Sequence, residues 1–490
     1  MSPFLVLTVV LIYFSVLVFI SWLTAGKADN ETFFIGKRQS PWYVVAFGMI
    51  GATLSGVTFI SVPGWVAGSQ FAYMQMVLGY LLGYAVIVMI LLPLYYRLQL
   101  TSIYTYLSQR FGFWSYKTGA GFFLLSRTMG ASARLFIVAS VLQFTVFDSW
   151  GVPFFVTILL TIGLIFLYTY RGGIGTIIYT DTLQTFFMLL AVILAVVLIS
   201  KELGLDFGGV IHEIKESGHG RIFFFDDFAG DKKHFFKYFV GGAFITIAMT
   251  GLDQDMMQKN LSCRNLKDAQ KNVFWFGLAL VPVNLVFLGL GALLIMYSSH
   301  VGMELPRSMD DLFPMIATQG GLSGILALVF IIGLIAAAFS SADSALTSLT
   351  TSVTVDMLGK EKAPEKEAKR IRYMVHGAIS LVLMSMILLF RALNDRSVID
   401  TLFTLAGFTY GPILGLFAFG MSNKRKVIDR MVPFIAILSP VLTWVLQYLA
   451  NRYLGGYVFS FEHLLVNGLL TFTLLWVFSR RPSKEVIEKS

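Results

Sequence analysis

The stretch AAFSSADSALTSLTTS places a carboxylate and a row of hydroxyl groups in an otherwise apolar segment. At about 100° per residue, Ala337, Ser340, Ser341 and Ser344 share one helical face, and Asp343 flanks that face. Any one serine is explained by a bond from its hydroxyl to the carbonyl one turn back. A carboxylate at bilayer depth costs several kcal/mol unless it has a partner, so Asp343 predicts a functional site.

A second acid, Asp181, lies in the apolar stretch GGIGTIIYTDTLQTFF, one to two turns inside the expected cytoplasmic end of its segment. These groups form a cluster of oxygen ligands, which consists of two carboxylates, several hydroxyls and the backbone carbonyls that a break in a neighbouring helix would leave without hydrogen bonds. Such ligands suit hard cations. The hydroxyl pair favours Na⁺ over a proton, because a proton needs no cage of several oxygens.

Two arginines occupy a third apolar stretch, FFLLSRTMGASARLFIVASVLQ. Arg127 is near the cytoplasmic end, where its charge can reach the interface. Arg134 is deeper and has two interpretations. It is either a counter-charge for an anionic or carboxylate-bearing substrate, or part of a structural ion pair with Asp253 or Asp255.

The chain that positions these groups has 490 residues, of which 56% are hydrophobic and 13% are charged. Apolar runs of about 20 residues recur from end to end, which is the length that crosses the hydrocarbon core. We therefore predict an all-α polytopic membrane protein with about 13 transmembrane helices and no second soluble domain. The predicted spans are roughly 4–24, 43–66, 76–96, 117–146, 152–170, 175–200, 236–257, 272–297, 321–356, 373–391, 399–420, 431–450 and 461–478.

The net charge of +9 comes from Lys and Arg residues that concentrate in alternate loops. The positive-inside rule explains this pattern, so it does not indicate binding to nucleic acid. The rule predicts an amino terminus outside the cell and a cytoplasmic carboxyl terminus, in a multi-pass protein of the plasma membrane. The short tails favour a bacterial inner membrane.

Ten of the predicted spans divide into two groups of five, which would have opposite orientations in the membrane. This is the topology of an inverted repeat, which is frequent in secondary transporters. The first span of each group reads as an interrupted helix: VVAFGMIGATLSGVTFISVPG and VGGAFITIAMTGLDQDMMQKN. Glycine and hydroxyl residues weaken a helix there, although close helix packing is an alternative explanation.

The predicted units are 1–30 (an extra helix and loop), 31–200 (first repeat), 201–235 (an extracellular loop, as a short helix or a lid), 236–423 (second repeat) and 424–490 (two further helices and a cytoplasmic tail).

The chain resembles the solute:sodium symporter family from about residue 31 to about residue 423. The resemblance is carried by ETFFIGKRQSPWYVVAFGMIGATLSG, GGIGTIIYTDTLQTF, GLDQDMMQKNLSCRNLKDAQK, AAFSSADSALTS and GFTYGPILGLFAFG, in this order. It implies inverted five-helix repeats of the LeuT type, alternating access, Na⁺ as the coupling ion, no cofactor and no enzymatic activity.

The resemblance also implies two sets of ion ligands. The main sodium site would use the carbonyls of Gly51, Leu54 and Ala337 with the hydroxyls of Ser340 and Ser341. A second sodium site would use Asp181, Asp343 and Ser344. Asp343 departs from the serine of the two-sodium sialic acid transporters, so it would either strengthen a second sodium site or bind a proton.

The substrate residues carried over from the family are Thr53, Ser55, Thr58, Gln75, Arg134 and Asp253. Arg134 fits the position at which sialic acid transporters bind the substrate carboxylate. Sugar transporters of the family carry a Glu-Gln pair at the positions of Val57 and Thr58, and this chain lacks it. That difference argues against a galactose-type site.

The sequence thus predicts Na⁺-coupled symport of a small organic solute, such as a sugar, sialic acid or another carboxylate-bearing solute. The expected partners are this solute, Na⁺ and the lipid bilayer, with the protein acting as a monomer. A proton-coupled symporter using Asp181 and Asp343 is the alternative. A membrane enzyme is disfavoured because no histidine is expected at mid-depth, and a sensor is disfavoured because only residues 479–490 follow the last span.

Overall fold

A computed structural model describes residues 3–25, 30–170, 172–319, 321–322, 324–361, 363–393 and 398–480. The predicted tail beyond Arg480 and part of the linker after the first helix lie outside these residues. The helices are α1 (Pro3–Ala25), α2 (Asn30–Ile35), α3 (Trp42–Thr53), α4 (Gly56–Ser69), α5 (Tyr73–Val86), α6 (Leu92–Arg97), α7 (Thr105–Arg110), α8 (Phe113–Leu142), α9 (Phe154–Thr169), α10 (Ile174–Glu202), α11 (Phe207–Glu216), α12 (Phe235–Thr246), α13 (Gln254–Leu261), α14 (Leu266–His300), α15 (Leu312–Gln319), α16 (Gly324–Ser352), α17 (Glu365–Leu393), α18 (Val398–Ser422), α19 (Val432–Tyr453) and α20 (His463–Val477). Two short strands, β1 (Lys426–Val427) and β2 (Ser479–Arg480), pair antiparallel.

The helices confirm a polytopic α-helical membrane protein. Among the described residues, nine helices are long and apolar enough to cross a bilayer, and two bent helix pairs bring the number to eleven. The helices α9 and α20 are apolar but shorter, and they lie at the two remaining predicted spans. The total of about 13 spans therefore stays a prediction.

Both predicted helix interruptions are present. The pair α3 and α4 bends by 55°, and the pair Phe235–Gly251 and Gln254–Leu261 bends by 64°. At the second break, the Asp253 carboxylate caps α13 by accepting hydrogen bonds from the backbone N–H groups of Asp255 and Met256. Two tyrosine hydroxyls, from Tyr95 and Tyr104, donate to the carbonyls of Gly251 and Leu252. Side chains thus satisfy the backbone groups that the break frees, as a membrane interior requires.

The centre of the bundle is α16, of which 83% is buried over its most apolar window, against 28% for α17 and for α19. This helix packs against α10, α8, α4 and α3. Burial on all sides explains why hydroxyls and a carboxylate are tolerated on it, since the protein supplies their surroundings.

Glycines allow the closest helix contacts. A Cβ atom on Gly51 of α3 would lie 2.1 Å from the Thr185 hydroxyl of α10, and one on Gly79 of α5 would lie 2.1 Å from the Phe239 carbonyl of α12. The pairs α3–α10 and α5–α12 are therefore in contact through backbone.

Side-chain bonds also fasten one end of the bundle. The Asp429 carboxylate, just before α19, accepts hydrogen bonds from the backbone N–H groups of Trp114 and Ser115 at 2.8 Å each, which caps α8. The Arg110 guanidinium donates to the carbonyls of Gly420, in the last turn of α18, and of Asn423, just beyond it. The ends of α7, α8, α18 and α19 are thereby held together.

We expect Gly79→Ala to destabilise the protein by about 1–3 kcal/mol, because the added methyl group forces α5 and α12 apart. The matched control is Gly163→Ala in α9, where an added Cβ atom meets nothing within 4 Å. Thermal unfolding in detergent measures both. An equal midpoint for the two variants would contradict the close contact.

Candidate functional site

A cavity lies between the two broken helices. Its walls come from both of them and from α5, α8, α14 and α18. It is lined by Ala52, Thr53, Leu54, Ser55, Val57, Thr58, Tyr73, Tyr80, Tyr84, Arg127, Arg134, Ile245, Thr246, Met249, Thr250, Met256, Leu280, Asn284 and Phe403. The wall is mostly apolar and aromatic with a few polar groups, which is the usual composition of a small-molecule site.

Four of the six predicted substrate residues line this cavity: Thr53, Ser55, Thr58 and Arg134. Thr53 and Ser55 flank the break in the first broken helix. The Thr53 hydroxyl is buried and has no hydrogen-bond partner among the described residues. It is therefore free to bond a solute.

Gln75 is not among the residues that line this cavity, and its role as a substrate residue stays a prediction. Its side-chain amide donates to the Lys233 carbonyl at 2.8 Å and accepts from the Phe224 N–H at 3.0 Å. Gln75 thus ties the segment after α11 to the start of α5. The short helix expected in the loop 201–235 is present as α11.

Asp253 also does not line the cavity. Besides capping α13, it accepts a hydrogen bond from the Tyr410 hydroxyl of α18 and lies 3.9 Å from the Arg127 guanidinium. It positions the second broken helix against α8 and α18.

The two arginines of α8 have different surroundings. Arg127 forms a buried ion pair with Asp255. The Nε and Nη1 atoms of Arg134 are buried and have no hydrogen-bond partner among the described residues. The sequence left open an ion pair between Arg134 and Asp253 or Asp255. Arg127 makes this ion pair instead, and the Arg134 guanidinium lies at the cavity wall.

The residues predicted for the main sodium site come from α3, the first break and α16. The break packs closely on α16, since a Cβ atom on Gly56 would lie 3.4 Å from the Ala338 Cβ atom. Among the described residues, the Ser341 hydroxyl makes a single, long hydrogen bond of 3.4 Å to the Ala337 carbonyl. Ser340 donates to the Asp181 carboxylate at 2.7 Å. All five predicted residues, Gly51, Leu54, Ala337, Ser340 and Ser341, are buried.

Thr185, which the sequence interpretation missed, lies beside this set. Its hydroxyl accepts the Gly51 N–H at 3.1 Å. Thr185 follows Asp181 by four residues on α10, so both lie on one helical face. This spacing could have identified Thr185 from the sequence.

The predicted second site contains a cation supplied by the protein. The Lys259 ammonium lies 2.6 Å from the Asp181 carboxylate, and both side chains are only 1% exposed. Asp343 accepts hydrogen bonds from the Tyr168 hydroxyl at 2.9 Å and from the Ser344 N–H at 2.6 Å. The predicted span 236–257 stops short of Lys259, whereas α13 continues the second broken helix to Leu261 inside the protein.

Together, the fold and the cavity define a membrane transporter of the LeuT type, with two broken helices around a central site. The model of the sodium:solute symporter family matches residues 33–427, and the chain belongs to this family.

Curated relatives are transporters as well. The chain is 26% identical to human sodium-coupled monocarboxylate transporter 2, over 81% of this chain and 64% of the relative. It is 24% identical to the sodium/sialic acid symporter NanT of Aliivibrio fischeri, over 86% of this chain and 83% of the relative. The chain thus spans less than two thirds of the human relative and most of the bacterial one.

Solved structures share the fold. A substrate-bound, outward-open Na⁺-coupled sialic acid symporter superposes with a TM-score of 0.81 at 18% identity, covering 97% of this chain and 99% of the other. Mhp1, a nucleobase-cation symporter, gives a TM-score of 0.58 at 15% identity, covering 90% of this chain and 92% of the other. These likenesses establish the LeuT-type architecture, and the proteins are transporters rather than enzymes.

Because Arg127 has an ion-pair partner and Arg134 does not among the described residues, the two arginines should contribute unequally to the free energy of unfolding. We expect Arg127→Met to cost about 3–5 kcal/mol, because it leaves the buried Asp255 carboxylate unpaired. Arg134→Met should cost far less, since no carboxylate of the described residues forms an ion pair with Arg134. Thermal unfolding of both variants in detergent gives the comparison. Equal losses would show that Arg134 has a structural partner.

Proposed function

We propose that this protein is a Na⁺-coupled symporter that carries a small carboxylate-bearing solute into the cell by alternating access. Family membership supports the coupling ion and the class of transport. The observation that carries the choice of solute is the Arg134 guanidinium, which reaches the cavity between the broken helices. Two of its buried nitrogens have no hydrogen-bond partner within the described part of the chain. A cation at this depth of a membrane protein is costly until an anion neutralises it.

The proposed sodium site joins the first broken helix to α16. Its ligands are the carbonyls of Gly51, Leu54 and Ala337 and the hydroxyls of Ser340 and Ser341. The weak hydrogen bond of Ser341 supports this assignment, because its oxygen is not committed to a strong partner. A sodium ion there would hold the break against α16 and so favour one state of the cavity. Coupling requires only that Na⁺ bind one state more tightly.

The proposed solute site uses Arg134 for the carboxylate, with the Thr53, Ser55 and Thr58 hydroxyls for other polar groups. A planar guanidinium bonds a carboxylate at two points, which fixes its orientation. Tyr73 supplies part of the apolar wall. The names of the relatives, which include monocarboxylate and sialic acid transporters, agree with an acidic solute.

The proposed orientation has the amino terminus outside and the carboxyl terminus in the cytoplasm, in a bacterial inner membrane, with one chain forming the transport unit. The alternation of basic loops supports this orientation. The proton-coupled alternative requires Asp181 and Asp343 to titrate as a pair. It is less well supported, because Asp181 is already paired with Lys259.

For the sodium site, we expect Ser341→Ala to raise the Na⁺ concentration for half-maximal uptake by at least about tenfold, since a bond to an ion is worth about 1.5–3 kcal/mol. Uptake into proteoliposomes with an inward Na⁺ gradient measures this change. Ser348→Ala is the matched control, because the Ser348 hydroxyl bonds only back to Ala345 on the same helix in the described hydrogen bonds. Uptake that ignores Na⁺ but follows a pH gradient would contradict the proposal.

For the solute site, a panel of monocarboxylates, sialic acid, neutral sugars and carboxamides should show uptake of acids only. We expect Arg134→Gln to raise the half-saturating concentration of the preferred acid by about 10–100-fold, the loss of one charge-assisted bond. Thr246→Val, elsewhere on the cavity wall, is the control for shape. Equal uptake of the acid and its carboxamide would exclude Arg134 as the carboxylate partner.

A further inference from the structure

We infer that a groove between α10, α11 and α14 binds an anionic phospholipid, with one acyl chain in the groove and the headgroup phosphate at Lys201 and Lys215. The site is separate from the proposed sodium and solute sites and adds a lipid ligand to them. It is built around α11, a helix that the transport of the solute does not use.

The helix α11 is amphipathic, yet none of its residues is buried. Its apolar side chains recur at helical spacing on one face, as Phe207, Val210, Ile211 and Ile214. Phe207 is 83% exposed and Ile211 is 43% exposed. An amphipathic helix whose apolar face the protein does not cover lies in the membrane interface. Because this loop is predicted to be extracellular, the interface is that of the outer leaflet.

The apolar face of α11 borders a groove of about 970 Å³, whose other walls are α10 and α14. On α14 the wall residues share one helical face, as Pro282, Leu285, Val286, Gly289 and Leu293. From the first to the last of them the helix rises about 16 Å, at about 1.5 Å per residue. This length is about half of the hydrocarbon core, so the groove matches one acyl chain of one leaflet.

The groove is open toward the lipid rather than filled by the protein. Val197 of α10 is 55% exposed, and Leu285 of α14 is 39% exposed. An added Cβ atom on Gly289 would meet nothing within 4 Å. The walls are therefore apolar surfaces that an acyl chain can cover.

Two lysines line the groove, Lys201 in the last turn of α10 and Lys215 in the last turn of α11. Neither ammonium forms an ion pair with a carboxylate of the described residues. Among the described wall residues the acid is Asp206, whose carboxylate accepts the Gly209 N–H at 2.7 Å and so caps α11. The two cations are thus available for a phosphate at the level of the headgroups.

Ser200 supplies a polar group inside the groove. It is 8% exposed, and its hydroxyl has no hydrogen-bond partner among the described residues. A serine in a helix usually bonds the carbonyl one turn back, which this hydroxyl does not do. Next to Lys201, it can donate to a phosphate or ester oxygen of a lipid. An unpaired buried hydroxyl between the lysines and the apolar walls distinguishes the groove from an ordinary lipid-facing surface.

The groove also reaches the segment that leads into the solute cavity. Phe71 lines the groove, and its N–H donates to the Arg221 carbonyl at 3.1 Å. Tyr73, two residues further along, lines the solute cavity. A lipid in the groove therefore contacts the connection between the loop after α11 and the α5 wall of the cavity.

Native mass spectrometry of the purified protein in detergent, titrated with phosphatidylglycerol or with phosphatidylcholine, tests the site. We expect the wild type to bind the anionic lipid at least about tenfold more tightly than the zwitterionic lipid. The double variant Lys201→Gln with Lys215→Gln should bind phosphatidylglycerol about 25-fold more weakly, a factor of about five for each lysine. Its affinity for phosphatidylcholine should change little.

Two further variants separate charge from shape. Lys232→Gln with Arg307→Gln removes the same charge from exposed positions outside the groove wall and should leave both affinities unchanged. Gly289→Phe fills the groove where the chain leaves open space. It should weaken the binding of both lipids by at least about tenfold, the equivalent of two methylene groups that lose contact.

Equal affinity of the wild type for the two lipids would overturn the assignment of the headgroup site. Unchanged phosphatidylglycerol binding by the lysine variant would overturn it as well, and both lysines are exposed, so this variant should fold. Unchanged binding by Gly289→Phe would place the lipid elsewhere. A dimer in place of the lipid complex would make the groove an interface between two copies. None of these measurements uses uptake, so their failure is distinct from failure of the proposed function.

Discussion

An ionised group inside a membrane protein needs a counter-charge, because neither lipid nor packed side chains solvate it well. Among the described residues, the core meets this need with the ion pairs Arg127–Asp255 and Lys259–Asp181. Near the two proposed sites, Arg134 at the cavity and Asp343 on α16 form no ion pair among the described residues. In the proposed cycle, an acidic solute and a sodium ion supply the two missing charges. The imbalance that the fold leaves therefore favours the binding of both together.

The same constraint applies to the backbone of the two broken helices, where N–H and C=O groups at each break lose their helical partners. At the second break the freed carbonyls accept hydrogen bonds from Tyr95 and Tyr104, and Asp253 caps the helix that follows. At the first break the chain instead packs on α16, with Gly56 close to Ala338. The two breaks are topologically alike but chemically different. The first break lies close to α16, the helix that carries the serine pair of the proposed sodium site.

The sequence indicated the acids, the serine pair and both breaks, because a polar residue in an apolar run stands out against its neighbours. It missed Lys259 because hydropathy ended the span near residue 257, and the bend that carries α13 back into the core leaves no mark on hydropathy. Whether Arg127 or Arg134 pairs with Asp255 depends on the depth of each arginine in the membrane and on the rotation of α8 about its own axis. Both are set by helix packing, which the sequence pattern does not show. The bonds of Gln75 to Lys233 and Phe224 could not be predicted, because long-range contacts set the path of the segment before α12.

The bonds from Asp429 and Arg110 have a consequence for motion. They join the start of α8 to the end of α18 and the start of α19, so these ends form a stationary frame. An opening of the cavity toward that side cannot come from separating them without breaking buried or half-buried polar bonds. Neither α3 nor α13 takes part in these bonds, so we expect the two broken helices to move relative to this end of the bundle.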